Sequence, residues 1–264
     1  TIVTSVTGMG KTSTIANMIL GMIRLPPHRK ILWGVWEDEP EINLESLAAI
    51  YLEYSRTDLL VGNFDDEQLA AIKRVATGIS SWITFFDIPF GREIGKKASN
   101  ERNLDVVHQH VADSGCDVFV ADVWNRCLVD RSPEGEENAI IRTQAMARET
   151  RVHIIAAHQQ RFKDVEKRDD FRPTREGTKG AGAILEVADY AFGIHRPDFF
   201  KPMPRQKLEI HALKRRRGAG PWAVEFDFDA DRGIISGGKT IPHDAGPSRK
   251  HGKKAADEFG DEST

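Results

Sequence analysis

Short apolar runs and helix-length amphipathic segments alternate along most of the chain. The runs have the length of buried strands and cover residues 1–5, 31–36, 82–86, 117–121, 152–157 and 190–195. Most of the stretches between them repeat their apolar positions with helical spacing, as at residues 14–23, 41–54, 66–77, 101–114 and 137–150. This alternation predicts crossover units and a mostly parallel sheet with helices on both faces.

The pattern changes after Phe199. Segments 207–213, 222–228 and 233–236 predict antiparallel strands that end the sheet. From Gly237 onward the chain is rich in Gly, Pro, Lys and Asp and has no apolar periodicity. We therefore expect a doubly wound α/β core over residues 1–236, with antiparallel C-terminal strands, and a flexible charged tail over residues 237–264.

Composition and charge narrow the function classes. With 264 residues, 40% hydrophobic and 29% charged, the chain is typical of a globular protein and unlike a disordered one. A formal net charge of −3 means that nucleic acid can be contacted only through local basic patches. Cys116 and Cys127 are too few for a disulfide scaffold, so we expect reduced thiols and a cytoplasmic protein. Uncharged stretches such as residues 13–23 are much shorter than the roughly 20 apolar residues that span a bilayer, so we expect no transmembrane helix. Because Thr1 is not Met, we expect that sequence upstream has been cut away.

A phosphate-binding loop follows the first predicted strand. Residues 5–13 read Ser-Val-Thr-Gly-Met-Gly-Lys-Thr-Ser and lead into a predicted helix. In such a loop the glycines let backbone N–H groups surround a polyphosphate, the lysine neutralises phosphate oxygens and the next hydroxyl binds Mg²⁺. The expected ATP-binding residues are Gly8, Met9, Gly10, Lys11, Thr12 and Ser13. The strict pattern has Gly where Ser5 stands, a mild departure because the strand–loop–helix order is intact.

Carboxylates follow two other predicted strands. Asp122 ends an apolar strand and is the expected second Mg²⁺ ligand beside Thr12, while Asp117, at the start of that strand, is better interpreted as a turn or cap residue. Glu37 follows the strand at 31–36, where a carboxylate can accept the proton of the water that attacks the γ-phosphate. Asp38 and Glu39 are the alternatives for this role, although acids before Pro40 are also typical of a helix start.

These motifs together resemble the RecA-type ATPase core of the DnaB-like hexameric helicases and their RepA-like and phage relatives. The family's features are a Met-Gly-Lys-Thr loop, a strand ending in a catalytic Glu, a Walker B strand, a later strand ending in Gln, and a Lys-x-Arg-x-Gly element. The corresponding residues here are Met9 to Thr12, Glu37, Asp122, Gln159, and Lys214 to Gly218. Residues 123–125 are Val-Trp-Asn instead of the Tyr-Leu-Gln common in bacterial replicative helicases, which favours a RepA-like or phage branch.

The resemblance assigns roles to the later motifs. Gln159 senses the γ-phosphate, although His158 and Gln160 are adjacent alternatives. Lys214 and Arg216 act on the nucleotide of a neighbouring subunit, Arg216 as an arginine finger, while Arg215 and Arg217 also fit a solvated basic turn.

DNA contacts are expected in two loops, residues 125–136 and 161–179, which face the central channel in RecA-type rings. A solvated lid is the alternative, because acids are interleaved among the basic residues of these loops. The basic residues that could follow DNA phosphates are Arg126, Arg131, Lys163, Lys167, Arg168, Arg172 and Lys179.

The sequence therefore predicts an ATPase that uses Mg²⁺ and acts as the motor of a DNA helicase in a bacterial or phage-infected cell. The expected partners are single-stranded DNA, further copies of the chain, most simply in a hexamer, and a primase or loader. The alternatives are a RecA-like recombination or repair ATPase and a regulatory ATPase of the same superfamily that does not act on DNA.

Overall fold

The computed structural model describes residues 1–36, 39–86, 99–160, 172–173, 182–199, 205–218 and 222–242. Within these residues the strands form one nine-stranded sheet. They are β1 Ile2–Ser5, β2 Ile31–Val35, β3 Ile83–Phe86, β4 Val118–Asp122, β5 His153–Gln159, β6 Tyr190–His195, β7 Arg205–Arg215, β8 Ala223–Asp229 and β9 Ile234–Ile241.

The described helices fill the connections between the strands. They are α1 Lys11–Arg24, α2 Pro40–Leu52, α3 Arg56–Val61, α4 Asp66–Ser80, α5 Asn100–Ser114, α6 Pro133–Thr150 and α7 Gly182–Val187, with a short 3-10 helix at Trp124–Cys127. Local signals set several of their starts: Asp65 and Gln68 form a capping box for α4, and Ser132 caps α6.

The strand order is β3-β2-β4-β5-β1-β6-β7-β8-β9. The strands from β3 to β6 in this order are parallel, and β7, β8 and β9 continue the sheet as antiparallel strands. The predicted fold class is confirmed. Strand β1 lies between β5 and β6, where the strand order of the sheet reverses direction. Open α/β sheets bind ligands at the carboxyl ends of the strands at such a point.

Each face of the sheet has its own apolar core. On one face α5, α6 and α7 contribute side chains such as Val107, Ile140 and Ile184, which pack with Phe119 of β4. On the other face α1, α2 and α4 pack against Trp33 and its strand neighbours. Both faces are therefore covered, as a parallel sheet of apolar strands requires.

Several boundaries differ from the sequence prediction. Strand β9 continues to Ile241 and pairs with β8 on both sides of a register shift at Gly237 and Gly238, so the predicted end of the core at residue 236 falls inside a strand. Helix α1 begins at Lys11 because the loop turns directly into it, and α6 begins at Pro133, which occupies the first turn where proline is favoured. Helix α3 was not predicted, because its six residues are too few to show a helical repeat of apolar positions.

Candidate active site

The P-loop connects β1 to α1 at the carboxyl end of the sheet. Gly8 and Gly10 have φ angles of 83° and 85°, in the left-handed region that glycine adopts without strain. Any Cβ at Gly8 would also stand 2.8 Å from the Phe199 ring. The loop therefore needs glycine at these positions both for its backbone conformation and for space.

The Lys11 side chain is held within the loop by its neighbours. Its side chain is only 8% exposed, and Nζ donates to Ser5 Oγ over 3.5 Å. Ser5 Oγ in turn donates to the carbonyl oxygen of Val6 at 2.9 Å. Ser5, the one departure from the strict motif, therefore helps to place the lysine that the motif requires.

Gln159 is joined directly to the P-loop. Strands β1 and β5 pair so that Ser5 lies opposite Gln159, and the exposed Gln159 side chain donates from Nε2 to Thr7 Oγ1 at 2.6 Å. The backbone N–H of Gln159 donates to Asn125 Oδ1 at 3.3 Å, and the Asn125 amide donates to Glu136 Oε1 at 3.4 Å. Hydrogen bonds of the Asn125 and Gln159 side chains thus connect the carboxyl ends of β4 and β5 with the P-loop.

The two neighbours of Gln159 have different surroundings. His158 is buried and bonded to Thr4 Oγ1 at 3.2 Å; burial, assisted by the charge of Lys11, lowers its pKa to about 4, so it is neutral at pH 7. Gln160 is 4% exposed. The exposed Gln159 side chain, bonded to Thr7 of the P-loop, supports Gln159 as the γ-phosphate sensor.

Asp122 stands at the carboxyl end of β4 and is 7% exposed. One strand separates β4 from β1, which places Asp122 about 10 Å across the sheet from β1. Thr12 presents its hydroxyl from the first turn of α1. Mg²⁺ takes one or two protein oxygens and completes its shell with phosphate and water oxygens, so a hydroxyl and a carboxylate at this edge of the sheet fit a metal bound with a nucleotide.

The candidate bases follow β2. Glu37 and Asp38 lie outside the described residues. Val35 pairs with Asp122, so β2 and β4 end at the same edge of the sheet. Glu39 is the residue before α2 and Pro40 is its first residue, which confirms the interpretation of Glu39 as part of a helix start. Asp117 is confirmed as a turn residue, since its carboxylate accepts from the backbone N–H of Lys30 at 2.9 Å.

Sequence reasoning missed Arg196, which follows β6. Its Nη1 donates to the carbonyl oxygen of Gly8 at 2.7 Å, and its Nε donates to Gln206 Oε1 at 2.9 Å. The guanidinium lies 5.0 Å from the ring centroids of both Phe199 and Phe228. The P-loop is therefore fastened to β7 and β8 as well as to β5, through a contact between residues far apart in the sequence.

Lys214 and Arg216 lie at the other end of the sheet. Strand β7 is antiparallel to β6, so its last residues lie beside the start of β6 and away from the P-loop. Lys214 donates to the carbonyl oxygens of Leu185 and Glu186 in α7, and Arg216 Nη1 is 2.7 Å from Asp189 Oδ1. Neither cation is brought to the phosphates of its own P-loop, and action on a neighbour's nucleotide stays a prediction.

The residues expected to contact DNA differ in what the structure shows of them. Arg126 and Arg131 are exposed. The structure corrects the extent of their loop, since part of residues 125–136 is helical. Four others lie outside the described residues: Lys163, Lys167, Arg168 and Lys179.

Arg172, the remaining predicted DNA contact, is paired with a buried acid. Its Nε and Nη2 each donate at 2.8 Å to the carboxylate of Glu209, which is 2% exposed, and His211 Nε2 is 2.8 Å from the same carboxylate. Burial alone raises the pKa of Glu209, but the hydrogen bonds from Arg172 and His211 outweigh burial and lower it to about 2. Arg172 is therefore the partner of a buried acid, an arrangement that does not favour it as a DNA contact.

Comparisons with known proteins identify a family for the chain. The family described as DnaB-like helicase C terminal domain matches residues 1–232. A probable plasmid replicative DNA helicase of Chlamydia psittaci is 24% identical over 217 residues, which are 80% of this chain and 45% of that protein. The chain thus spans about half the length of this curated relative.

Two solved structures share the fold. One is an ATPase domain, with a TM-score of 0.72 and 19% identity, covering 89% of this chain and 82% of that one. The other is a DnaB-like replicative helicase studied for its interactions with primase, with a TM-score of 0.70, 19% identity, and coverage of 89% and 56%. Within the residues that the structure describes, no helix has the length and apolar character to cross a bilayer.

Proposed function

The chain belongs to the family of DnaB-like helicase C-terminal domains, and we propose that it is the Mg²⁺-dependent, ATP-hydrolysing motor of a DNA helicase. The family match favours this function over a recombination ATPase or a regulatory ATPase that does not act on DNA. The proposed setting is the cytoplasm of a bacterial or phage-infected cell. Single-stranded DNA is the proposed track, and a primase or a loader is a proposed partner.

The contact between Gln159 and Thr7 is the observation that carries the proposal. A nucleotide in the P-loop places its terminal phosphate beside Lys11 and within the region that this contact spans. When the γ-phosphate arrives or leaves, Gln159 can exchange its bond to Thr7 for one to phosphate or its water. Since Gln159 ends β5, this exchange would alter the start of the segment expected to meet DNA.

The chain's own residues divide the work of hydrolysis. Lys11 binds phosphate oxygens, and Thr12 with Asp122 would hold Mg²⁺, which would neutralise charge on the phosphates. Glu37, two residues after β2, is the proposed acceptor for the proton of the attacking water. Charge that develops in the transition state is met by Arg216, with Lys214, of the next subunit, because neither is positioned for its own P-loop.

ATP turnover of the full-length protein, measured with and without single-stranded DNA, tests this function. We expect turnover to rise with DNA and the mass in the presence of nucleotide to match a homo-oligomer, most simply six subunits. The Lys11→Ala variant gives the background from contaminating ATPases. Turnover that is indifferent to DNA at low salt would contradict the helicase and favour the regulatory ATPase.

A further inference from the structure

Lys214 and Arg216, at the end of β7, both contact residues 185–189 of their own chain. Lys214 donates to two carbonyl oxygens in the last turn of α7, and Arg216 contacts Asp189, which follows that helix. Cations are favoured at a helix C-terminus, where carbonyl groups lack partners within the helix. Helix α7 and the adjacent Asp189 thus hold both Lys214 and Arg216 in place.

The register of the sheet makes the contact between Asp189 and Arg216 specific. In the antiparallel pair of β6 and β7, Tyr190 lies opposite Arg215, which brings Asp189 opposite Arg216 at the end of the ladder. The backbone N–H of Arg216 donates to the carbonyl oxygen of Asp189 at 2.8 Å, and Arg216 Nη1 lies 2.7 Å from Asp189 Oδ1. One residue therefore fixes both the backbone and the guanidinium of Arg216.

We propose that Asp189 is a positioning residue that orients Arg216 toward the nucleotide of the neighbouring subunit. This inference rests on the proposed function. A guanidinium has five donors, so a contact at Nη1 does not exhaust its capacity to meet a phosphate. Arginine has a long, rotamer-rich side chain, and holding it in one orientation beforehand lowers the entropy lost when it meets the transition state.

The exposure of Asp189 and Arg216 distinguishes a positioning role of Asp189 from a role in folding stability. The side chains of Arg216 and Asp189 are 46% and 56% exposed, and an exposed ion pair contributes little to folding stability. Removing the Asp189 carboxylate should leave the fold nearly as stable as before. Its effect should fall on the rate of the step in which Arg216 takes part.

The test is a double-mutant cycle in the full-length oligomeric protein. Asp189→Ala, Arg216→Ala and the double variant are compared for kcat, ATP binding and Tm. We expect Asp189→Ala to lower kcat by about 10-fold to 100-fold, with ATP binding and Tm unchanged. Asp189→Asn keeps an acceptor oxygen without the charge and should lose less. In the Arg216→Ala background, the Asp189→Ala change should have no further effect, because both act through one guanidinium.

Asp105→Ala is the matched control, because Asp105 is a similarly exposed acid paired with Arg142 on the helical layer. It should leave kcat unchanged. Equal loss from Asp189→Ala with and without Arg216, a rise in kcat, or a kcat like that of the wild type would overturn the positioning role. If Arg216→Ala itself turns over ATP normally, the shared active site fails instead, so the two failures are distinguishable.

Discussion

The two ends of the sheet hold their functional cations in opposite ways. At the carboxyl end, Lys11 is 8% exposed and packed into a loop that bonds to Gln159 and Arg196 through Thr7 and Gly8. At the other end, Arg216 is 46% exposed and bonded to one acid at the end of a ladder. A buried cation suits a ligand bound by its own chain, whereas an exposed one suits a ligand that another subunit brings.

Loss of Lys11 should have the largest effect. Lys11→Ala removes the buried ammonium that meets the β- and γ-phosphates, and we expect ATP turnover to fall to background. Lys73→Ala, a change on the exposed side of α4, is the matched control and should retain wild-type turnover. Steady-state ATPase assays decide this, and retained turnover in Lys11→Ala would remove the P-loop assignment.

Loss of Arg216 should separate binding from turnover. An arginine finger contributes about 10³-fold or more to the rate, so Arg216→Ala should bind ATP normally and hydrolyse it slowly. Arg217→Ala changes the next exposed arginine of the same turn and should have little effect. Nucleotide-binding titrations beside turnover measurements test this, and equal defects in both variants would indicate a nonspecific effect of the basic turn.

Glu37→Gln should slow hydrolysis by about 100-fold while sparing ATP binding, the scale of a lost general base. Glu39→Gln is its control, because Glu39 lies at the start of α2. Single-turnover measurements compare the two directly. A larger defect in Glu39→Gln or Asp38→Asn would show that Glu37 is the wrong carboxylate.

Sequence reasoning succeeded where the signal was local. The P-loop, the strand ending in Asp122 and the sheet class follow from motifs and from apolar periodicity within single segments. It failed where a residue's partner lies far along the chain. Neither Arg196 nor Arg172 could be assigned from its neighbours, because Gly8 and Glu209 meet them only through the fold. The end of β9 was missed because Gly237 and Gly238 interrupt the pattern of a strand that pairing with β8 sustains.

Arg172 should matter for stability more than for DNA binding. Arg172→Met removes two hydrogen bonds to the buried Glu209 carboxylate, and we expect the free energy of unfolding to fall by about 2 kcal/mol. Because the pKa of Glu209 is lowered to about 2 in the folded protein, its charge stabilises the fold above about pH 4 and this contribution is lost as the pH falls toward 2. Denaturant titrations at pH 7 and pH 3 measure the difference, which should shrink at the lower pH.

Arg131→Ala should produce the smallest effect, and it should affect DNA binding and not stability, the opposite of Arg172→Met. It should leave stability unchanged and reduce the salt dependence of single-stranded DNA binding by about 0.7 in slope, the share of one phosphate contact. DNA-binding titrations over a salt series compare it with Arg172→Met. A reduced slope in Arg172→Met alone would reverse the assignment of the two arginines.

The mixing of two inactive variants tests most directly whether the active site is shared. Lys11→Ala subunits keep Arg216, and Arg216→Ala subunits keep an intact P-loop. In mixed oligomers some interfaces combine the intact P-loop of one subunit with the intact Arg216 of its neighbour, so ATPase activity should recover in part. No recovery, despite subunit exchange demonstrated with labelled protein, would show that Arg216 does not act across the subunit boundary.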